Sequence, residues 1–210
     1  LSPLIESAEI AKKNNGNDNK SLFPIAKIIA TNKDKTTIKR RTPFVIFFEL
    51  WRENQVKIIN TKMKSKIERN NIGIFFCWGV RHGIAENNIN IENDIGISIG
   101  HRDTDNFILN NDVLRSKKGG IVFRPDTRGK DFGPHRNRVE KNRIIDSGNE
   151  AGIAVDVRGN IRDILLRGNQ IRETRGAQKR VGIHVGKETK DVTLDGNKIE
   201  GFKVPVVREK

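Results

Sequence analysis

Two polar turns hold most of the side chains able to move a proton or hold an anion. The first, HRDTDN, contains His101, Arg102, Asp103 and Asp105; the second, RPDTRGKDFGPHRN, contains Arg124, Asp126, Arg128, Asp131, His135 and Arg136. Imidazole beside carboxylate is general acid–base equipment, and a guanidinium fork binds a carboxylate through two parallel hydrogen bonds. Such a set suits removal of a proton next to a carboxylate, as in β-elimination or epimerisation at a uronate. Arg124 and Arg136 would neutralise the substrate acid, His101 or His135 would take the proton, and Asp103 or Asp156 would orient the base. A carboxylate pair among Asp103, Asp126 and Asp156 would instead suit glycoside hydrolysis, their separation deciding between inversion and retention. The structural alternative is that these groups only tie each loop to its neighbour, since ion pairing alone also perturbs titration.

The elements that must position these turns repeat. Five times a glycine is followed by alternating apolar residues, from Gly73, Gly96, Gly120, Gly152 and Gly182, at intervals of 23, 24, 32 and 30 residues. Between these runs lies a second phrase, two alternating apolar residues, then Asn, then an apolar residue: Ile164, Leu166, Asn169, Ile171, and Val192, Leu194, Asn197, Ile199. Weaker copies are Ile108, Asn111, Val113 and Val139, Asn142, Ile144, and the frame also fits Val56, Ile58, Thr61, Met63. Near Ala85 either Asn87 or Asn88 could hold the turn, with Ile89 agreeing better with Asn87. Apolar spacing of two argues for strands, and a period in this range argues for a solenoid. Three short strands per rung and at least five rungs give an all-β fold, a single-stranded right-handed parallel β-helix. The 32-residue interval contains the longer polar turn, and a long loop in a regular array is where function tends to sit.

Stacking fixes which side chains become neighbours. With Ile97, Ile121, Ile153 and Ile183 as one inward column, Phe75, Ser98, Val122, Ala154 and His184 share one outward column. Cys77, Gly100, Arg124, Asp156 and Gly186 then share the other, which makes Arg124 and Asp156 neighbours on adjacent rungs. Asn111, Asn142, Asn169 and Asn197 are expected to form an internal amide ladder, with asparagine also tolerating a left-handed turn backbone.

The chain has 210 residues, 35% of them hydrophobic, enough for one solenoid domain. Its formal charge of +14 favours polyanionic partners. Nucleic acid is disfavoured, because there is no Tyr, most Phe lie in strand patterns and the excess charge is spread along the chain. Cys77 is the only cysteine, so neither an intrachain disulfide nor a cysteine zinc cluster can form. No apolar run is long enough for a membrane span, and residues 1–30 lack a signal-peptide core. Residues 1–42 are read as a cap or tail: a short helix from Ser2-Pro3, a polar linker over 13–21, an irregular strand around Ile25 to Ala30 and a basic loop after it. Residues 43–210 are read as the β-helix domain, starting with the β-prone run Pro43 to Trp51.

GISIGHRDTDN, FRPDTRGKDFGPHRN and the Asn-Asn turns resemble the right-handed parallel β-helix repeat proteins of the pectate-lyase-like superfamily, in particular its poorly characterised bacterial branch, over residues 54–202. The resemblance implies a carbohydrate-active protein, a lyase, epimerase or glycoside hydrolase, that is secreted, periplasmic or on the cell surface. It places an acidic polysaccharide along the glycine-strand sheet and its turns, over Ser98, Arg124, Asp156 and His184. The candidate catalytic set is His101, Asp103, Arg124, His135 and Asp156, and the candidate substrate-binding set is Arg102, Asp105, Arg136 and His184. Family analogy suggests Ca2+, yet neither the calcium-ligand cluster of pectate lyases nor the Asp arrangement of polygalacturonases maps onto this chain. The competing expectation is a monomeric, non-catalytic glycan-binding or structural surface module.

Overall fold

The computed structural model describes residues 37–38, 65–129, 131–176 and 180–210. The N-terminal helix, the linker, the strand near Ile25, the run Pro43 to Trp51 and the phrase from Val56 to Met63 lie outside the described residues. One two-residue strand, Thr37–Ile38, falls in the stretch read as a basic loop and pairs in parallel with Lys66–Glu68.

The described chain coils through three parallel sheets and contains no helix. One sheet stacks the strands that precede the Asn turn, Ile84–Glu86, Phe107–Leu109, Arg138–Glu140, Arg162–Arg167 and Lys190–Asp195. A second stacks those that follow it, running from Thr37–Ile38 and Lys66–Glu68 through Ile89–Ile91, Asp112–Leu114, Arg143–Ile145 and Gln170–Arg172 to Lys198–Glu200. The third, the glycine-strand sheet, stacks Ile72–Phe75, Ile95–Ile99, Gly119–Phe123, Ile153–Val157, Val181–Val185 and Val204–Arg208. The protein is therefore a parallel β-helix, and right-handed coiling is the sense that parallel crossovers take. Its last strand carries Pro205 where earlier copies carry glycine or alanine, so the glycine signal misses it. Proline is tolerated there because the strand is at the sheet edge.

Inward side chains from all three sheets meet in one apolar column. Ile97, Ile99, Ile108, Val113, Ile121, Phe123, Val139, Ile144, Leu166, Ile171 and Ile183 are all fully or almost fully buried, and Val192, Leu194, Ile199 and Val206 cover them only partly at the last rung. Close strand packing depends on the missing side chain at Gly96 and Gly120. A Cβ on Gly96 would lie 2.6 Å from the Gly120 carbonyl oxygen, and one on Gly120 would lie 2.8 Å from the Ala154 carbonyl oxygen.

The register corrects the expected columns at one rung. Val155, not Ile153, stands between Ile121 and Ile183, while Ile153 pairs with Val181 at the corner and is only half-buried. The phrase begins two residues early because Gly152 is a turn glycine at φ +74°, and Ala154 occupies the place of Gly120. A slip of two keeps inside inside and outside outside, so hydrophobic alternation cannot reveal it. It does change neighbours. Asp156 joins the column of Val122 and His184, and Arg158 takes the place beside Arg124 that was expected of Asp156.

Each corner is closed by a side-chain stack. At the Asn turn, the backbone N–H and Nδ2 of each Asn donate to Oδ1 of the next through Asn88, Asn111, Asn142, Asn169 and Asn197. The expected ladder is present, with Asn88 rather than Asn87 as its first member. The left-handed residue is the one before each ladder Asn: Asn87, Asn110, Lys141, Gly168 and Gly196, at φ +53° to +61°. The second corner carries Asn70–Asn93 and Ser116–Ser147 stacks. The third links Gly83, Asn106 and Asn137. A non-glycine residue at positive φ costs about 1–2 kcal/mol, and these bonds at every corner offset it.

Candidate functional site

Where the glycine-strand sheet ends, successive turns bring Trp78, His101, Asp126, Arg128 and Phe132 to one edge. Gly100 closes its strand, and His101 and Arg102 follow at φ +54° and +64°, which reverses the chain and turns the Asp103 side chain inward. Asp103 is fully buried. Its Oδ1 accepts from Gly79 N at 3.0 Å and Val80 N at 2.9 Å, and its Oδ2 accepts from Gly100 N at 2.8 Å. The carboxylate thus joins two rungs. Burial pushes its pKa up to about 6 against the pull of these N–H groups and of Arg124.

Arg124 crosses the space left by Gly100 and donates to the Phe76 carbonyl oxygen at 2.8 Å, two rungs back, with its guanidinium 4.2 Å above the Phe75 ring. Its Nη2 lies 3.7 Å from Asp103 Oδ2. The Arg124 side chain is therefore held by protein groups, although its Nε is buried with no partner. Cys77 is buried beside it, and desolvation pushes the thiol above its ordinary range.

Outside this layer sits an aromatic and cationic surface. Trp78 is 65% exposed, the one large hydrophobic residue so placed among the described residues. Its ring meets the His101 imidazole edge-on, with centroids 4.2 Å apart. His101 Nδ1 is 3.4 Å from Asp126 Oδ2, and the imidazole also contacts the Arg128 guanidinium. Burial, then the nearby Arg128 charge, lowers the His101 pKa, leaving it neutral at pH 7. Asp126 is held at about 2 chiefly by hydrogen bonds from Arg128. Arg102 and Arg128 both lie over Phe132, at 3.9 Å and 5.0 Å from its centroid. Such cation–π contacts keep guanidinium groups near an apolar surface; the Arg128 fork is engaged with Asp126, whereas Arg102 stacks on Phe132 with its edge open.

The other expected residues lie apart from this surface. His135 is buried, and its Nδ1 accepts from Arg162 N at 3.2 Å, which makes it a corner residue with no face open to substrate. Asp105 and Arg136 form an exposed bidentate pair, at 2.7 Å and 2.9 Å. Asp156 bonds His184 Nδ1 at 2.9 Å and Arg158 at 2.6 Å, and His184 Nε2 reaches Glu209 at 3.1 Å. The expected Arg124–Asp156 contact is replaced by this closed group. The structure therefore brings together His101, Arg102, Asp103 and Arg124, pairs Asp156 with His184, and leaves His135, Asp105 and Arg136 at other points of the corner.

Sequence reasoning missed Trp78, Phe132, Arg158 and Glu209. Trp78 continues the apolar run GIFFCW and reads as strand; its signal was the Gly79 that follows it in a turn where Trp78 itself has φ +68°. A shallow cavity of about 180 Å³ lies on a different face, lined by Arg143, Arg172 and Lys198 among others. Its cations are engaged with Asp112 and Glu200. Among the described residues no cluster of three or more His, Cys, Asp or Glu could hold a metal ion, and no helix is long and apolar enough to cross a membrane. No family model, curated protein or solved structure matches the chain.

Proposed function

We propose that this β-helix binds an acidic, uronate-containing polysaccharide at the turn edge built from Trp78, His101, Arg102, Arg128 and Phe132. The observation that carries the reading is the exposed Trp78 ring against His101, with the Arg102 guanidinium on the adjoining residue stacked over Phe132. A pyranose presents C–H faces that pack on an indole, and a uronate carries a carboxylate that a guanidinium edge can grip bidentately. The net charge of +14 assists capture of any polyanion. The edge runs across successive rungs, which suits a polymer better than a small ligand. That partner places the protein outside the cytoplasm, in the periplasm or at the cell surface.

Binding comes ahead of catalysis because most of the candidate acid–base groups are already engaged. Asp103 spends its oxygens on backbone N–H groups, His135 accepts from Arg162 N, and Asp156 lies between Arg158 and His184. A second reading, β-elimination with His101 as base, is favoured by one observation: a partly exposed imidazole, its pKa lowered by burial, is followed directly by Arg102, whose guanidinium could neutralise the substrate carboxylate while Arg128 stays with Asp126.

Retardation of the protein in gels containing polygalacturonate or alginate separates the readings. Trp78→Ala should weaken retention about tenfold, the loss of one good stacking contact, with dextran giving no retention in either protein. Equal retention of Trp78→Ala and parent, or equal retention by polyphosphate, would reduce the interaction to charge alone and overturn the site. Accumulation of unsaturated product absorbance with the same polymers, lost in His101→Gln, would establish the catalytic reading instead.

A further inference from the structure

We infer that Asp103 is the positioning residue of this surface: its buried carboxylate sets the spacing between the turn that carries Trp78 and the turn that carries His101. The inference deepens the binding reading and rests on it only for what the surface holds. Gly79 and Val80 follow Trp78 directly, Gly100 directly precedes His101, and one carboxylate accepts from all three N–H groups. No other side chain joins these two turns by hydrogen bonds to both backbones among the described residues. Since Trp78 and His101 also touch, this anion lies directly beneath their edge-on contact, while main-chain bonds from Thr104 N to the Val80 carbonyl oxygen and from His82 N to the Thr104 carbonyl oxygen join the turns farther along.

The groups facing Asp103 make the arrangement depend on its charge. They are the N–H groups of Gly79, Val80 and Gly100, the Arg124 guanidinium at 3.7 Å and the neutral Cys77 thiol. Four of the five are donors, and the thiol is only a weak acceptor. A proton added to the carboxylate therefore meets donors, and at least one of the N–H contacts must weaken. Because burial brings protonation to about pH 6, the Trp78–His101 spacing changes under weakly acidic conditions.

The test follows Trp78 emission against pH in the full chain carrying Trp51→Phe, which removes the other tryptophan. His101 is itself ionisable and touches the indole, so His101→Gln is the necessary second protein. The expected result is a single emission step centred near pH 6 that survives His101→Gln and is absent in Asp103→Asn. Asp103→Asn should also lower retention by polygalacturonate about tenfold at pH 7, with the pH dependence of binding flattened. An absent step, or a step abolished by His101→Gln, overturns the assignment, and these two proteins decide it even if Asp103→Asn does not fold. A step that behaves as expected in a protein that ignores polygalacturonate would overturn the binding reading and leave the positioning role standing.

Discussion

Replacing Asn142 by Ala probes the amide ladder at its centre. Asn142 Oδ1 accepts from both the backbone N–H and Nδ2 of Asn111, each at 2.9 Å, and its own Nδ2 reaches the Ile108 carbonyl oxygen at 2.8 Å and Asn169 Oδ1 at 3.1 Å. Asn111 and Asn142 are fully buried, and Asn169 is almost so. Alanine would leave two donors of Asn111 without an acceptor and remove a donor from Ile108. At about 1–3 kcal/mol for each stranded buried group, and with water entering part of the vacated space, the expected loss is about 3–5 kcal/mol. Asn197→Ala removes the same contacts from Asn169, but Asn197 is half-exposed and solvent can replace them, so about 1 kcal/mol is expected there. Asn142→Asp keeps the acceptor and loses the donor, which separates the two roles. Urea unfolding followed by circular dichroism measures these values, with unchanged m-values required before midpoints are compared. A cost for Asn142→Ala below a few tenths of a kcal/mol, or equal to that of Asn197→Ala, would refute burial as the source of the ladder's value.

Three further outcomes follow from the geometry. Gly120→Ala places a Cβ 2.5 Å from Ile144 Cγ2 and 2.8 Å from the Ala154 carbonyl oxygen, so a loss of about 2 kcal/mol or more is expected in thermal unfolding, and a neutral result would show that the rungs can part. Asp103 has a folded pKa of about 6 against an ordinary ~3.9, so its favourable contribution is complete below about pH 4 and is lost as pH rises through 6. That contribution is on the order of 3 kcal/mol, and Asp103→Asn should flatten the stability profile between pH 4 and 6. Glu173 behaves oppositely. Burial raises its pKa, but hydrogen bonds from Arg175 and Arg180 outweigh that and hold it at about 2. Its contribution is present above about pH 4.3 and is lost as pH falls through 2, and Glu173→Gln should remove that acid-side slope.

The coil itself was legible because inward and outward positions alternate, a constraint written at every second residue from Ile97 to Val185. The ladder was legible for the same reason: Asn111, Asn142, Asn169 and Asn197 repeat the identical residue at an identical offset. Where neighbouring residues were chemically alike, offset became ambiguous, and Asn88 was confused with Asn87. Gly152 misled the frame because glycine serves both as a turn residue and as a tightly packed strand residue, and only pairing with Gly120 through Ala154 distinguishes the two. The other corner stacks mix Asn with Ser and Gly, so no single letter marks them. The positions of the two polar turns were legible, but the partners of their side chains were not foreseeable. Whether Arg136 meets Asp105 or His135 accepts from Arg162 depends on turn conformations with no repeat to read.

The amide ladder has a direction. Asn88, Asn111, Asn142 and Asn169 each donate a backbone N–H toward the C-terminal rung, and Asn111, Asn142, Asn169 and Asn197 each accept from the N-terminal one, so among the described residues the row ends on the backbone donor of Asn197. The coil therefore has unlike ends, as a zipper has a pin and a socket. Two copies meeting through their C-terminal rungs would set donor against donor, whereas a chain or copy approaching with its acceptor end forward would continue the same row of bonds. Any extension of this column is thereby restricted to one orientation and one register, and the restriction comes from corner side chains rather than from the strands they connect.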